Sequence, residues 1–451
     1  MNRTLKHRLW LIAGVLASCV AIASAQTGVN APDSNALPAA PRPNPQQSLS
    51  TSGQISQGSE VTLQELVQIA LASNPAIKSA AEEFQAQRAR APQARSLPDP
   101  MVSGGWMGNI TPFSVQNGDP SSYRGLTVSQ AFPFPGKLRL RGKIADREAE
   151  AGRWEYERTE RRVVAEVKVA FYAYFYDTKA IKITEKNKDL LEKLEKIAEA
   201  RYRVGQGIQQ DVLRAQVEVS RIDQRLIVLH QEDDTARARL NTLLNRDPEA
   251  QLPPPAKVQP ANFHLSLNEL YAMAHENDTG LERDKRVIES SQFSVDLAQK
   301  AYEPDFDVAY SYEQRPEMPD MHGVMVGVNI PIFFRSKQRE GVIEASHGLN
   351  AAHREFDDRL TTVNFEIKQQ YLAATASRNL MNLYSKAIVP ESSLALESAM
   401  SAYQVGKVDF LSMLDNFVYV LNYEVGYYQE LSNYETALAR MEPLVNRDLT
   451  E

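Results

Sequence analysis

Hydrophobic positions along this chain follow two different periods, and the switch between them occurs twice. Residues 62–96 carry apolar side chains at helical spacing, and residues 137–204 contain no proline and read as a single helix. At 1.5 Å per residue that helix would be about 100 Å long, too long for the interior of a compact domain. A return helix over 208–245 carries Val219, Ile222, Leu226, Leu229, Asp233, Ala236, Leu240 and Leu243, a 3-4-3-4 seam with one acidic interruption, which is coiled-coil spacing. The second half repeats the plan, with a long helix over 337–404 that Pro390 should kink and a return helix over 409–446. The opening and return helices together roughly equal the long one, so two short helices stacked end to end are expected to pack along each long helix.

Between the opening and long helices the period falls to two. Val324, Val326, Val328, Ile330 and Ile332 alternate with Met325, Gly327, Asn329 and Pro331, while Phe306, Val308, Tyr310 and Tyr312 alternate with Asp307, Ala309 and Ser311. The first half offers Leu126, Val128, Phe132 and Phe134 against Thr127, Ser129 and Ala131, with a weaker strand around Val102, Gly104 and Trp106. One face is apolar and aromatic and the other small and polar, the pattern of a membrane β-barrel strand. Each half therefore predicts one hairpin, with loops near 108–122 and 314–321. Four strands cannot close a barrel and lipid does not tolerate an open sheet edge, so the chain must oligomerise. Soluble hairpins capping a coiled coil are the alternative that alternation alone leaves open.

Local motifs duplicate in the same order. Val61-Thr-Leu-Gln-Glu-Leu-Val67 leads to Leu97-Pro-Asp-Pro100, as Leu265-Ser-Leu-Asn-Glu-Leu-Tyr271 leads to Tyr302-Glu-Pro-Asp-Phe306. Gly125-Leu-Thr-Val-Ser-Gln-Ala-Phe-Pro133 is echoed by Gly323-Val-Met-Val-Gly-Val-Asn-Ile-Pro331, and Tyr202-Arg-Val-Gly205 by Tyr403-Gln-Val-Gly406. Two copies are too few for a solenoid. The expected organisation is a signal peptide at 1–25, a flexible Pro/Ser/Gln-rich leader at 26–60, a first repeat at 61–250, a linker at 251–264, a second repeat at 265–446 and a tail at 447–451.

Composition removes several classes of function. Beyond the N-terminus there is no apolar run long enough for a helical membrane span. The net charge of -7 is dispersed, giving no basic patch for nucleic acid. Cys19 is the single cysteine, which excludes disulfides within the chain and cysteine-based metal sites. Arg3, Lys6 and Arg8 precede an apolar stretch ending in Ala23-Ser-Ala25, an export signal with its cleavage site. Leu16-Ala-Ser-Cys19 also has the form of a lipoprotein box in which Cys19 would be acylated, and both processing routes stand. No catalytic constellation, metal site or cofactor motif is expected: the histidines lack an i, i+4 pair and no Gly-rich phosphate loop follows a strand. Met318-Pro-Asp-Met-His322 has soft-metal ligand types, but an exposed loop is the simpler reading.

The duplicated order, the Phe132-Pro-Phe-Pro-Gly136 and Ile330-Pro-Ile-Phe333 exits from strand to helix, and the two Tyr-x-Val-Gly turns together resemble the TolC-type outer-membrane efflux factor family over about residues 61–446. Gln130-Ala-Phe-Pro-Phe-Pro-Gly-Lys137, followed by Arg139 and Arg141, is most similar to its heavy-metal, cobalt-zinc-cadmium type branch. The resemblance implies a mostly α fold with a small membrane β-barrel: a homotrimer with a 12-stranded barrel in outer-membrane lipid and a trimeric α-barrel crossing the periplasm. It further implies a periplasmic adaptor protein and an inner-membrane resistance-nodulation-division type pump as partners. By position in the turn motifs it assigns Asp211 and Asp415, with Asp409 substituting where Ser412 replaces another aspartate, to the periplasmic gate. Val204, Gly205, Val405 and Gly406 become the tips that dock the adaptor. The function expected is a passive exit duct for heavy-metal cations; multidrug efflux or type I protein secretion ducts, and a non-pore periplasmic coiled-coil protein, are the alternatives.

Overall fold

The computed structural model describes residues 60–109 and 114–450; the signal peptide, nearly all of the leader and the lipidation candidate Cys19 lie outside them. The first repeat runs α1 (Leu63–Ser73), α2 (Pro75–Arg95), β1 (Met101–Met107), β2 (Tyr123–Phe132), α3 (Lys137–Arg203) and α4 (Gln209–Leu243). The second runs α5 (Leu267–Asn277), α6 (Thr279–Lys300), β3 (Asp305–Gln314), β4 (Met321–Asn329), α7 (Gln338–Leu383), a π turn (Tyr384–Ile388), α8 (Val389–Gln404) and α9 (Phe410–Val445).

The opening helix expected at 62–96 is two helices. The chain breaks at Asn74, whose φ/ψ of -61/124 is extended and whose side chain caps α2 by accepting from the Ala76 N–H; Pro75 then sits at the first position, where its missing N–H costs nothing. Asp278 repeats the break with φ/ψ of -61/122 and caps α6 through the Leu281 N–H. Both opening helices also start alike, Thr62 accepting from Glu65 and Ser266 forming a reciprocal capping box with Glu269.

The 67 residues of α3 form one uninterrupted helix. It packs against α1 and α2 along one part of its length and α4 along another, and also contacts α6 and α9. On α4 the seam is as expected: Ile222, Leu229, Ala236, Leu240 and Leu243 are buried, and Val219 and Leu226 pack against the core. The acidic interruption is satisfied, because Thr178 Oγ1 donates to Asp233 at 3.2 Å and Arg237 lies 3.3 Å away. Pro390 does not break its long helix. The π turn precedes it, with the Val389 N–H reaching back to the Tyr384 carbonyl, and absorbs the ring that a tight α turn would exclude.

The four strands form one antiparallel sheet in the order β1-β2-β3-β4, so β1 and β4 are its edges. Register fixes the faces. Val102, Val128, Tyr310 and Val324 form one row across the sheet, and Gly104, Leu126, Tyr312 and His322 the next. The opposite face carries Ser103, Thr127, Ser311 and Gly323. The strands end earlier than the alternation suggested: Phe134, Ile330 and Ile332 lie beyond them, in the turns toward α3 and α7. A single chain thus supplies an open sheet and no closed barrel.

Residues 447–450, at the chain's tail, are packed. Buried Lys168 of α3 meets Glu442 at 2.8 Å, Asp448 at 2.7 Å and Thr450 Oγ1 at 2.9 Å, while Glu442 Oε1 also accepts the backbone N–H groups of Leu449 and Thr450. The linker is anchored too: Val61 exchanges backbone hydrogen bonds with Pro254 and Ala256, and Tyr174 donates to the Leu252 and Pro253 carbonyls.

Candidate functional site: the helical tip and the sheet

The two Tyr-x-Val-Gly motifs make the same turn. Gly205 and Gly406 both have φ of 74°, a left-handed conformation that glycine adopts without steric cost. In each, a backbone N–H reaches five residues back, Gln206 to Arg201 and Lys407 to Ala402, closing a Schellman motif. Val204 and Val405 stand at the apices, 68% and 69% exposed. Ile208, Leu213 and Val217 add exposed apolar surface on the first tip, which the turn motifs alone did not reveal.

Arg201 joins the two turns. Its guanidinium stacks 4.7 Å from the Tyr403 ring centroid, donates to the Tyr403 carbonyl and reaches the Gln206 carbonyl at 3.3 Å. Asp211, in the first turn of α4, is half-buried; burial holds its carboxyl above the ordinary value, Asp409 pushes the same way, and Arg214 and Arg201 oppose. Asp409 is the N-cap of α9, accepting from the Ser412 N–H at 3.0 Å, and its contacts with Ser412 lower its pKa. Asp415 is exposed on the following turn of α9. The structure therefore brings Asp211 and Asp409 together with Arg201 and Tyr403, with Asp415 a turn and a half further along. Asp409 thus has a helix-capping duty beside its place at the tip.

The sheet separates the soft-ligand residues of the Met318–His322 segment. His322 lies on the apolar face, where its Nδ1 is 2.7 Å from the Tyr310 hydroxyl, whereas Met321 lies on the opposite face beside Glu313. Strand alternation cannot aim both at one ion. Among the described residues no group of three or more His, Cys, Asp or Glu side chains is placed to hold a metal. A groove of about 1010 Å³ between α3, α4, α6, α7 and α9 is lined by both signs of charge, and several of its arginines are engaged: Arg162 and Arg239 both meet Glu166, and Arg359 meets Asp284.

The strand-to-helix exit couples the repeats. Asp305 of β3 accepts from the Phe134 N–H at 2.7 Å and from Lys137 Nζ at 2.8 Å, and Lys137 also donates to the Glu303 carbonyl. This fixes the start of α3 against the start of the second hairpin.

Residues 66–246, most of the first repeat, match the family model for outer membrane efflux proteins (OEP). No curated protein matches the chain by sequence. Among solved structures, the outer membrane protein VceC from Vibrio cholerae aligns at 16% identity with a TM-score of 0.73, covering 86% of this chain and 96% of that one. CusC aligns at 15% identity and a TM-score of 0.73, covering 90% and 99%. The open-state MtrE outer membrane channel of Neisseria gonorrhoeae aligns at 16% identity and 0.72, covering 86% and 89%. At these identities the likeness concerns the fold, and it extends across both repeats.

Proposed function

We propose that this chain, whose first repeat matches the efflux-protein family model and whose fold over both repeats is shared with outer membrane channels, is the exit duct of a tripartite efflux system. The observation that carries the reading is the sheet: largely apolar and aromatic on one face, small, polar and methionine-bearing on the other, unpaired at both edges within one chain, and attached to helices about 100 Å long. Bare backbone edges are incompatible with lipid, so β1 of one chain must pair with β4 of another. Three chains give twelve strands with a lumen, and their helices continue it across the periplasm. Transport is passive; the inner-membrane pump supplies the energy and the periplasmic adaptor meets the exposed Val204 and Val405 tips.

Asp211, Asp409 and Asp415 surround the narrow end, where three copies of each would focus a negative field and favour cations. That preference and the Gln130–Arg141 segment support heavy-metal cations as cargo. Fractionation tests the duct: recovery from outer membrane as a heat-modifiable trimer is expected, and release with soluble periplasm would leave only a coiled-coil structural protein. Growth of a deletion strain on graded zinc, cobalt, cadmium and copper(I), beside dyes and antibiotics, tests the cargo. Selective metal sensitivity is expected; drug sensitivity with normal metal tolerance would move the duct to multidrug efflux.

A further inference from the structure

Every methionine of the sheet lies on its polar face. Met101 shares a row with Ser129, Ala309 and Met325, and Met321 one with Gly105, Gly125 and Glu313; Met107 pairs with Tyr123. The apolar face, where a flexible hydrophobic side chain would normally reside, carries valine, leucine and aromatic residues, with Gly104, Arg124, Gln130, Gln314 and His322 among them, and not one methionine. The polar face conversely holds no valine, leucine, isoleucine or phenylalanine. Hydrophobicity alone does not sort side chains this way, because valine and methionine would then share a face. Methionine differs from valine in its unbranched, flexible chain and in its thioether, and the thioether is the part that can bind an ion.

All four methionines are also on the edge strands, two on β1 and two on β4. On the duct reading, on which this inference rests, β1 of one protomer pairs antiparallel with β4 of the next, and pairing preserves the face. Met101 and Met107 then run alongside Met321 and Met325 of the neighbour on the lumen side. Every same-face register between Met101 opposite Met321 and Met107 opposite Met325 leaves at least one methionine pair directly opposite or diagonal, about 5–8 Å apart at Cβ. Met321 and Met325 alternate with Gly323 and Gly327, and Met101 and Met107 flank Ser103 and Gly105, so the long side chains have room to converge. Asp307 and Glu313 on the same face add negative charge, Asp305 being paired with Lys137.

We propose that each seam between protomers is a thioether site for a soft monovalent cation, copper(I) or silver(I), on the wall of the lumen. Thioethers favour such soft ions over hard ones such as calcium or sodium. With few ligands, each on a flexible chain, the site is suited to brief residence on an exit path.

Silver(I) tests it. The full-length protein, purified in detergent and shown to be trimeric by native mass spectrometry, is dialysed against micromolar silver nitrate in chloride-free buffer, and retained silver is counted by elemental analysis. The same is done for the Met101→Leu/Met107→Leu/Met321→Leu/Met325→Leu variant, which keeps apolar volume and removes only these sulfurs. The wild-type trimer is expected to retain about three more silver ions than the variant, with sulfur neighbours in the silver X-ray absorption spectrum. Should the fourfold variant not assemble, Met321→Leu/Met325→Leu alone is expected to lose the same increment, because each seam needs both strands. Equal retention by trimeric wild type and trimeric variant overturns the site and leaves the duct intact; a monomeric wild type overturns the duct, and the seams with it.

Discussion

The Arg201 guanidinium lies 4.7 Å from the ring centroid of Tyr403, and it donates to that residue's own carbonyl. One side chain of the first repeat thereby holds the helix end of the second. A cation–π contact contributes about 0.5–2 kcal/mol and a hydrogen bond to a charged group about 1.5–3 kcal/mol. If the contact exists only with the tip narrowed, Arg201→Ala should raise the open population at least about tenfold, since about 1.4 kcal/mol is a factor of ten. Single-channel recording checks this; an unaltered open probability means that the contact is structural only.

Asp211 and Asp415 make a separable contribution. Asp211→Ala with Asp415→Ala should increase unitary conductance while weakening cation preference, seen as a smaller reversal potential across a salt gradient. Burial raises the Asp211 carboxyl above its ordinary value, so in wild type its share of cation preference should begin to fade, as pH falls, earlier than an exposed aspartate would allow. An unchanged current in the double variant removes these residues from the gate.

The faces of the sheet can be tested on adjacent residues of β2. Val128 belongs to the apolar row and Thr127 to the polar one. Val128→Arg should cost about 2–4 kcal/mol near the bilayer midplane and lower the yield of membrane-inserted trimer, whereas Thr127→Arg should insert and change only conduction. Equal insertion of the two would invalidate the assignment.

Much of this architecture is legible in the sequence because it is periodic. Period-2 alternation named the two faces before any register was available, and the absence of proline over 137–204 gave the long helix. The break at Asn74 went unread although Asn74-Pro75 is an N-cap followed by a first-position proline, and Asp278 followed by Thr279-Gly280 carries a weaker signal of the same kind; the helical spacing of the apolar positions on either side outweighed both. Leu244-Asn245-Arg246-Asp247 and Val445-Asn446-Arg447-Asp448 were a further repeat signal, both asparagines ending a helix in left-handed conformation. Contacts such as Arg201–Tyr403 and Lys168–Asp448 join residues far apart in sequence and depend on how helices register side by side, which no local pattern encodes. The methionines went unread for the same reason: their common face emerges only once the four strands are aligned.

The Lys168–Glu442 pair is deeply buried, so losing one partner leaves an uncompensated charge. Lys168→Met should destabilise the chain by about 3–5 kcal/mol, and adding Glu442→Gln should recover part of that. Deleting residues 447–451 should also destabilise, since Asp448 and Thr450 both hold Lys168. Thermal melting of the detergent-solubilised protein decides; a deletion that melts with wild type would show that the terminal clamp is dispensable.

Glu435 accepts from the Ala261 N–H at 2.7 Å, and burial pushes its carboxyl up to about 7. A folded pKa above the unfolded one means that its contribution is complete below about pH 4.5 and is lost as pH rises through about 7. Wild type should therefore melt at lower temperature at pH 8 than at pH 5, and Glu435→Gln should flatten that slope. An identical slope in the variant would place the titration elsewhere.

The most direct test of the duct is planar-bilayer recording from the purified full-length protein after its trimeric mass has been established. Discrete, cation-preferring unitary steps are predicted, small in wild type and larger in Asp211→Ala/Asp415→Ala. A trimer that inserts and gives no unitary conductance, in wild type and double variant alike, would contradict the account.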